Sequence, residues 1–266
     1  MLPLYFALTY LVAWVLWFAA TAIVGSAEGA SQFFYLPGTF APGLVAIALT
    51  AWNEGAKGVH ALLAPLLKWE VAGKWYLFAL TYMAGIKLSV ALLHRATLGE
   101  WPAFGETNVV LLLAATLAST LTFAQAGEEV GWRGYALPRM MPRFGLGLSS
   151  VLLGVIWAAW HLPLFFIPGT STTGQSFPLY LGQVTALSVA FAWVWWRTGR
   201  SLFVLMFFHA AVNNLKDIVP SAVAGVSNPW ALSSSVVGWL MVGLLWICAA
   251  YFLVRMPKNG GKALRR

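Results

Sequence analysis

A few ionisable and amide side chains lie inside the long apolar blocks of this sequence. They are Lys87, Glu128, Glu129, Arg133, His161, His209 and Asn213. A charged group inside a membrane span costs a few kcal/mol on insertion scales, and it usually faces the bundle interior or a water-filled cavity. These side chains are therefore the candidates for chemistry. For Lys87 the sequence leaves two alternatives open, an ammonium group that extends to the membrane interface and one that pairs with a carboxylate.

The two adjacent carboxylates have different expected surroundings. Glu129 and Arg133 are four residues apart, so they stack on one helix face in the favourable acid-before-base order and can neutralise each other. Glu128 lies about 100° further round the helix and needs another partner. The pattern predicts that Glu128 is the carboxylate available for chemistry. The alternative is that both carboxylates are solvated at the membrane interface.

The histidines suggest how a reacting group could be held. His209 and Asn213 are one helical turn apart on the same face, and such a pair can donate hydrogen bonds to a developing oxyanion. His161 follows Trp157 by one turn and adds a second deep imidazole. Each histidine has a plainer alternative, a hydrogen bond between helices or to a backbone carbonyl. Zinc is a candidate cofactor, because Glu128, His161 and His209 offer nitrogen and oxygen ligands, but the same residues could act without it.

Composition defines the fold class. The chain has 266 residues, of which 60% are hydrophobic and 9% charged, against roughly 25% charged in ordinary soluble domains. This excludes a soluble fold and predicts an all-α polytopic membrane protein of about eight transmembrane helices in one domain, residues 1–266. The predicted spans are 3–24, 36–53, 74–94, 107–137, 149–168, 177–197, 201–217 and 231–255. The motif-bearing core is about 107–217, and residues 55–73 predict a short interfacial amphipathic helix.

The charge distribution predicts the orientation. Of the 16 Lys and Arg residues, only Arg95 and Lys216 fall on the side opposite the termini, and Lys87 lies inside a span. Because cytoplasmic loops carry an excess of Lys and Arg, both termini are expected in the cytoplasm, and the basic tail 258–266 is interpreted as a topology anchor. The net charge of +8 thus reports orientation and not nucleic-acid binding. With no organelle signal visible, the plasma membrane is the expected location.

The order of the motifs resembles a known family. Glu-Glu-x-x-x-Arg at 128–133, Trp157-x-x-x-His161 and His209-x-x-x-Asn213 lie on different spans, as in the CAAX-prenyl endopeptidase and bacteriocin-processing family of intramembrane proteases. The resemblance covers about 128–213, and Trp157 stands where the family more often has Phe. It implies that Glu128 is the general base with His161 sharing the water, and that His209 and Asn213 hold the oxyanion. Glu129, Arg133 and Trp157 would support them.

The expected function is therefore an intramembrane endopeptidase that cleaves a membrane-associated or lipidated substrate near the cytoplasmic face. The alternative is a non-catalytic, immunity-type protein that binds a peptide or a partner membrane protein in the same polar cavity. A third hypothesis is a proton-coupled carrier, since intramembrane titratable groups also mark ion paths. The expected partners are a peptide or membrane protein and the lipid bilayer, with no nucleic acid. The substrate's identity, its prenylation and the oligomeric state are left open.

Overall fold

The computed structural model describes residues 1–221, 228–232 and 235–257. Within these residues the chain forms helices and no strands, which confirms the all-α prediction. The main helices are α1 (Leu2–Val24), α2 (Ala41–Leu63), α3 (Gly73–Leu98), α4 (Val109–Leu121), α5 (Ala126–Glu129), α6 (Leu137–Trp160), α7 (Phe177–Arg197), α8 (Leu202–Leu215) and α9 (Val236–Arg255). A π-helical segment, Val130–Ala136, joins α5 to α6. Shorter helical segments are Gly29–Tyr35, Leu36–Thr39, Ala64–Leu67, Leu162–Phe166 and Lys216–Ile218.

The number of membrane spans is close to the predicted eight. Six helical segments of the described chain are long and apolar enough to cross a membrane, and Val109–Leu121 is a shorter apolar helix. The six are Leu2–Val24, Ser31–Leu67, Gly73–Leu98, Ala126–Phe166, Phe177–Arg197 and Val236–Arg255. The predicted span 201–217 contains α8, which has only 14 residues. The protein is therefore a multi-pass membrane protein.

Two predicted helix boundaries are wrong. The expected continuous helix 107–137 breaks after Leu121, where Phe123 adopts a left-handed backbone conformation with φ 54° that interrupts the α-helical hydrogen bonding. The expected helix 149–168 is replaced by α6, which begins at Leu137, bends at Gly145 (φ 70°) and ends at Trp160, eight residues before the predicted end. It stops there because Pro163 disfavours the helical conformation of the residue before it. His161 therefore caps the end of a helix and does not lie within one.

The segment expected to lie at the interface also begins at a glycine. Gly55 has φ 65° and separates the membrane part of α2 from a short helical stretch that ends at Leu63. Beyond it come the turn Ala64–Leu67 and the exposed residues Lys68 and Glu70. A short helix with exposed charge agrees with the predicted interfacial helix. The basic tail 258–266, interpreted as a topology anchor, lies outside the described residues.

Small residues bring the glutamate-bearing segment against α2. A side-chain carbon at Gly131 would lie 2.5 Å from Pro42, and one at Gly127 would lie 2.8 Å from Phe40. Such positions let two helix backbones approach closely, which is a common device for association inside a membrane. The α5 and π-helical segment is thereby fixed in the interior, and Glu129 and Arg133 have no exposed side-chain surface.

The two ends of the bundle are defined by contacts between loops. At one end, called the basic end, Lys68 Nζ donates to the Gly199 carbonyl at 2.7 Å, and Arg139 pairs with Glu54 at 2.8 Å. At the other, called the cavity end, loop backbones join each other. The hydrogen bonds there are Ala27 N to Pro168 O, Gly105 N to Ile218 O and Phe177 N to Pro229 O.

Candidate active site

Glu128 stands at the end of α5 with its carboxylate partly engaged. Its Oε2 atom accepts a hydrogen bond of 2.6 Å from the indole Nε1 of Trp157, and the residue is only 8% exposed. The sequence correctly indicated that Glu128 would need a partner other than Arg133, and that partner is Trp157. The hydrogen bond fixes the direction of the carboxylate while Oε1 remains available, so Glu128 is oriented as a base would need to be.

Glu129 is held from two sides. Its Oε1 atom accepts from Arg133 Nη1 at 3.1 Å and from His209 Nδ1 at 2.8 Å, and all three side chains are buried. The Arg133 guanidinium also lies over the rings of Trp157, at 4.3 Å, and Phe191, at 4.6 Å. The predicted pairing of Glu129 with Arg133 is present. The bond to His209 was not predicted, because it joins helices 80 residues apart in the chain.

His161 has one nitrogen committed to the backbone. Its Nδ1 atom donates to the Trp157 carbonyl at 2.9 Å. A carbonyl oxygen only accepts, so Nδ1 carries the proton and the neutral ring has its lone pair on Nε2. The backbone contact is the plainer role that the sequence left open for this residue. It nevertheless leaves Nε2 as an acceptor that can bind the hydrogen of a water molecule.

His209 and Asn213 are the predicted oxyanion pair on α8. His209 Nδ1 donates to the Glu129 carboxylate, so the ring can also donate from Nε2 when both ring nitrogens carry a proton. In that form Nε2–H donates hydrogen bonds. Asn213 follows one turn later and contributes an amide group with two further donors. The arrangement can therefore present charge-assisted and neutral donors to one oxygen atom.

All four predicted catalytic residues line one cavity of about 430 Å³. They are Glu128, His161, His209 and Asn213, and Trp157 forms part of the same wall. Lys87, Tyr180 and Gln183 line it too, and sequence reasoning assigned them no role. The three-residue spacing of Tyr180 and Gln183 on one face of α7 was the signal that could have found these two.

The donor set does not fit a resident zinc ion. Across residues 1–221, 228–232 and 235–257, no three His, Cys, Asp or Glu side chains are grouped so as to hold a metal. The candidate metal ligands Glu128, His161 and His209 thus share a cavity without being grouped as a three-ligand site.

Comparison with known proteins agrees with the motif order. The family model for type II CAAX prenyl endopeptidases, Rce1-like, matches residues 108–215. A curated relative, CAAX prenyl protease 2 of Methanococcus maripaludis, is 24% identical over 233 residues, which cover 81% of this chain and 84% of the relative. The segment matched by the family model includes Glu128, Trp157, His161, His209 and Asn213, whereas Lys87 lies before it. Both comparisons thus find similarity to CAAX prenyl endopeptidases, in keeping with the motifs at Glu128, His161 and His209.

Proposed function

We propose that this protein is an intramembrane endopeptidase in which Glu128 activates a water molecule. The similarity to CAAX prenyl endopeptidases supports a peptidase. The observation that carries the proposal is the convergence of Glu128, His161, His209 and Asn213, from separate helical segments, on one cavity within a multi-pass membrane protein. The proposed substrate is a membrane-associated or lipidated polypeptide.

The hydrolysis begins with proton transfer from water. The water donates one hydrogen to Glu128 and the other to Nε2 of His161, so that its oxygen faces the scissile carbonyl. As the oxygen attacks the carbonyl carbon, Glu128 takes the proton and a tetrahedral oxyanion forms. When the C–N bond breaks, Glu128 returns this proton to the leaving amine. The products are a carboxylic acid and an amine, and Glu128 ends in its original state.

The oxyanion is stabilised by His209 and Asn213. Donors that are already in place stabilise developing charge strongly where water is excluded, and the loss of one donor typically costs about 10²–10³-fold in kcat. Glu129 is a positioning residue, because it holds the imidazole of His209 through Nδ1 at 2.8 Å. Arg133 in turn holds Glu129.

The experiment that tests this proposal is cleavage of a peptide library by the protein in lipid vesicles, comparing wild type with Glu128→Gln. The amide keeps the shape and can still accept from Trp157, but it cannot take a proton, so we expect a loss of at least about 10²-fold in kcat. Glu70→Gln is the matched control, because Glu70 is exposed and far along the chain from the site. Undiminished cleavage by Glu128→Gln would overturn the proposal. Equal peptide binding by both proteins without any cleavage would favour the non-catalytic alternative.

The position of the cavity bears on the side from which substrate enters. In α6, α7, α8 and α9 the lining residues lie in the half of the helix nearer the cavity end. These residues are Trp157, Trp160, Tyr180, Gln183, Val184, Leu187, His209, Val212, Asn213, Met241 and Leu245. The cavity wall also includes Ser171 and Asp217, which are exposed. The cavity therefore belongs to the end of the bundle opposite the basic residues.

With the cavity at this end, the predictions of cytoplasmic termini and of cleavage near the cytoplasmic face cannot both hold. Cytoplasmic termini place the basic end in the cytoplasm, whereas cleavage near the cytoplasmic face would require the cavity to open on that same side. The prediction of cytoplasmic termini rests on the strong asymmetry of Lys and Arg residues, which sets the orientation of most helical membrane proteins. The prediction of cleavage near the cytoplasmic face used the helices 107–137 and 149–168, whose ends differ in the structure. We therefore propose that both termini are cytoplasmic, with the plasma membrane as the location, and that substrate enters from the opposite face.

A further inference from the structure

Gln183 is a buried amide in the wall of the cavity. It lies on α7, is only 8% exposed, and lines the same space as Glu128. Tyr180, Val184 and Leu187 line this space too, so the cavity-facing side of α7 follows the three- and four-residue spacing of one helix face. Gln183 and Tyr180 are the polar members of this face.

The Gln183 amide has no protein hydrogen-bond partner within residues 1–221, 228–232 and 235–257. An amide group has two N–H donors and an acceptor oxygen, and buried polar groups are ordinarily hydrogen-bonded. By contrast, Gln175 lines the same cavity and already donates from Nε2 to the Ser171 carbonyl at 2.6 Å. The wall at Gln183 therefore favours a ligand that offers both a donor and an acceptor.

The packing of α6 against α7 sets the depth of Gln183. A side-chain carbon at Gly154 would lie 2.7 Å from Thr185 Cα. Seven residues later, the His161 ring meets the Tyr180 ring edge to face, with 5.5 Å between the centroids. The contacts advance along α6 while they go back along α7, so the two helices are antiparallel. Gln183 thus lies between the levels of Gly154 and His161.

The proposed base lies at about the same depth. Trp157 occupies the corresponding stretch of α6, between Gly154 and His161, and its indole donates to Glu128 at 2.6 Å. Glu128 and Gln183 both line the cavity. The unpartnered amide and the carboxylate therefore face one space from different walls.

The main chain of an extended peptide offers the donor and the acceptor that this amide lacks. In an extended strand the N–H and C=O groups of one residue point to the same side, so that paired strands exchange two hydrogen bonds. A side-chain amide can form the same two bonds, accepting through Oε1 and donating through Nε2. A spanning helix satisfies its backbone groups internally, whereas an extended segment at membrane depth needs protein partners.

We infer that the Gln183 amide binds the main chain of the substrate beside the scissile bond and holds that segment in the extended form. This inference rests on the proposed function, since it places the scissile bond at Glu128. Gln183 is a substrate-binding residue that does not contact the reacting atoms. Recognition of this kind selects unwound peptide segments over intact helices, whatever their side chains.

The test replaces the peptide bonds of a probe by esters, one at a time. The probe is the library peptide that Glu128→Gln binds most tightly in vesicles, labelled with dansyl, and binding is measured by energy transfer from the protein's tryptophans. An ester has no N–H group, so the ester at the residue bound by Gln183 should weaken binding about five- to tenfold. In Glu128→Gln with Gln183→Met we expect no loss at that position.

Glu128→Gln with Gln175→Met is the matched control. It removes another cavity-lining amide, one that already has a partner, and it should keep the ester loss. If the Gln183→Met protein does not fold, Gln183→Leu provides a second variant. Failure of every library peptide to bind would overturn the inference. So would the absence of any sensitive ester position, or ester losses that all persist without Gln183.

These binding measurements are independent of proteolysis, so failed cleavage by wild type would count against the proposed function and not against the peptide-binding role of Gln183. With active protein, Gln183→Met should lower kcat/KM for the all-amide peptide about five- to tenfold and leave it unchanged for the sensitive ester peptide. Equal slowing of both peptides would contradict the inference, because it would show a structural effect of the substitution.

Discussion

The two ends of this helical bundle are built from the same helices and differ in how they compensate polar groups. At the basic end, cations are paired or packed on rings, as in the Arg139–Glu54 ion pair and the position of Arg197 over Trp75. At the cavity end, Lys87, Tyr180 and Gln183 line an open space of about 430 Å³. One half of the bundle is therefore closed by packing, while the other keeps polar groups available to a ligand.

The adjacent glutamates mark the boundary between the halves. Glu128 lines the cavity and accepts one hydrogen bond from Trp157, whereas Glu129 is fully buried between Arg133 and His209. A rotation of about 100° between successive helical residues is sufficient to place one carboxylate in each environment. Helix geometry, and not residue type, therefore separates the carboxylate that lines the cavity from the carboxylate that holds Arg133 and His209.

The prediction with the largest expected effect tests which end of the helical bundle faces the cytoplasm. Cys248 is the single cysteine, so Cys248→Ser provides a background for single cysteines at Ser171, on the cavity wall, and at Lys57, at the basic end. Both positions are exposed. We expect a membrane-impermeant maleimide added to intact cells to label Ser171→Cys, and to label Lys57→Cys only after permeabilisation. The reverse pattern would place the cavity on the cytoplasmic side and would refute cytoplasmic termini.

Sequence reasoning reached the local features of the site. A four-residue spacing is enough to pair Glu129 with Arg133, and apolar blocks of spanning length are enough to define an all-α membrane protein. The same rules could not reveal that His209 binds Glu129 or that Trp157 binds Glu128, because these bonds depend on how distant helices pack. The break at Phe123 was also missed, since a left-handed phenylalanine is set by its surroundings and has no signal in the sequence.

The next prediction concerns the stability that the buried pair of Glu129 and Arg133 gives to the packed half of the bundle. Arg133→Met leaves the Glu129 carboxylate buried with only His209 as a partner, and breaking a buried pair in this way typically costs about 3–5 kcal/mol. We expect a correspondingly large loss of stability in denaturant unfolding of the protein in detergent. Glu54→Gln, which breaks the exposed pair with Arg139, is the control and should cost only about 0.2–1 kcal/mol. Similar losses in both variants would contradict the distinction between buried and exposed pairs.

The smallest expected effect tests whether the close approach of helices holds the glutamate segment. In Gly131→Ala the added carbon would lie 2.5 Å from Pro42, so the π-helical segment or α2 must shift, and overpacking of this kind typically costs about 1–3 kcal/mol. Gly85→Ala is the matched control, because nothing lies within 4 Å of the added carbon. We expect Gly131→Ala to lower both stability and kcat, since the segment carries Glu128, and Gly85→Ala to leave both unchanged. Unaltered kcat in a destabilised Gly131→Ala protein would mean that this contact supports the fold without positioning the base.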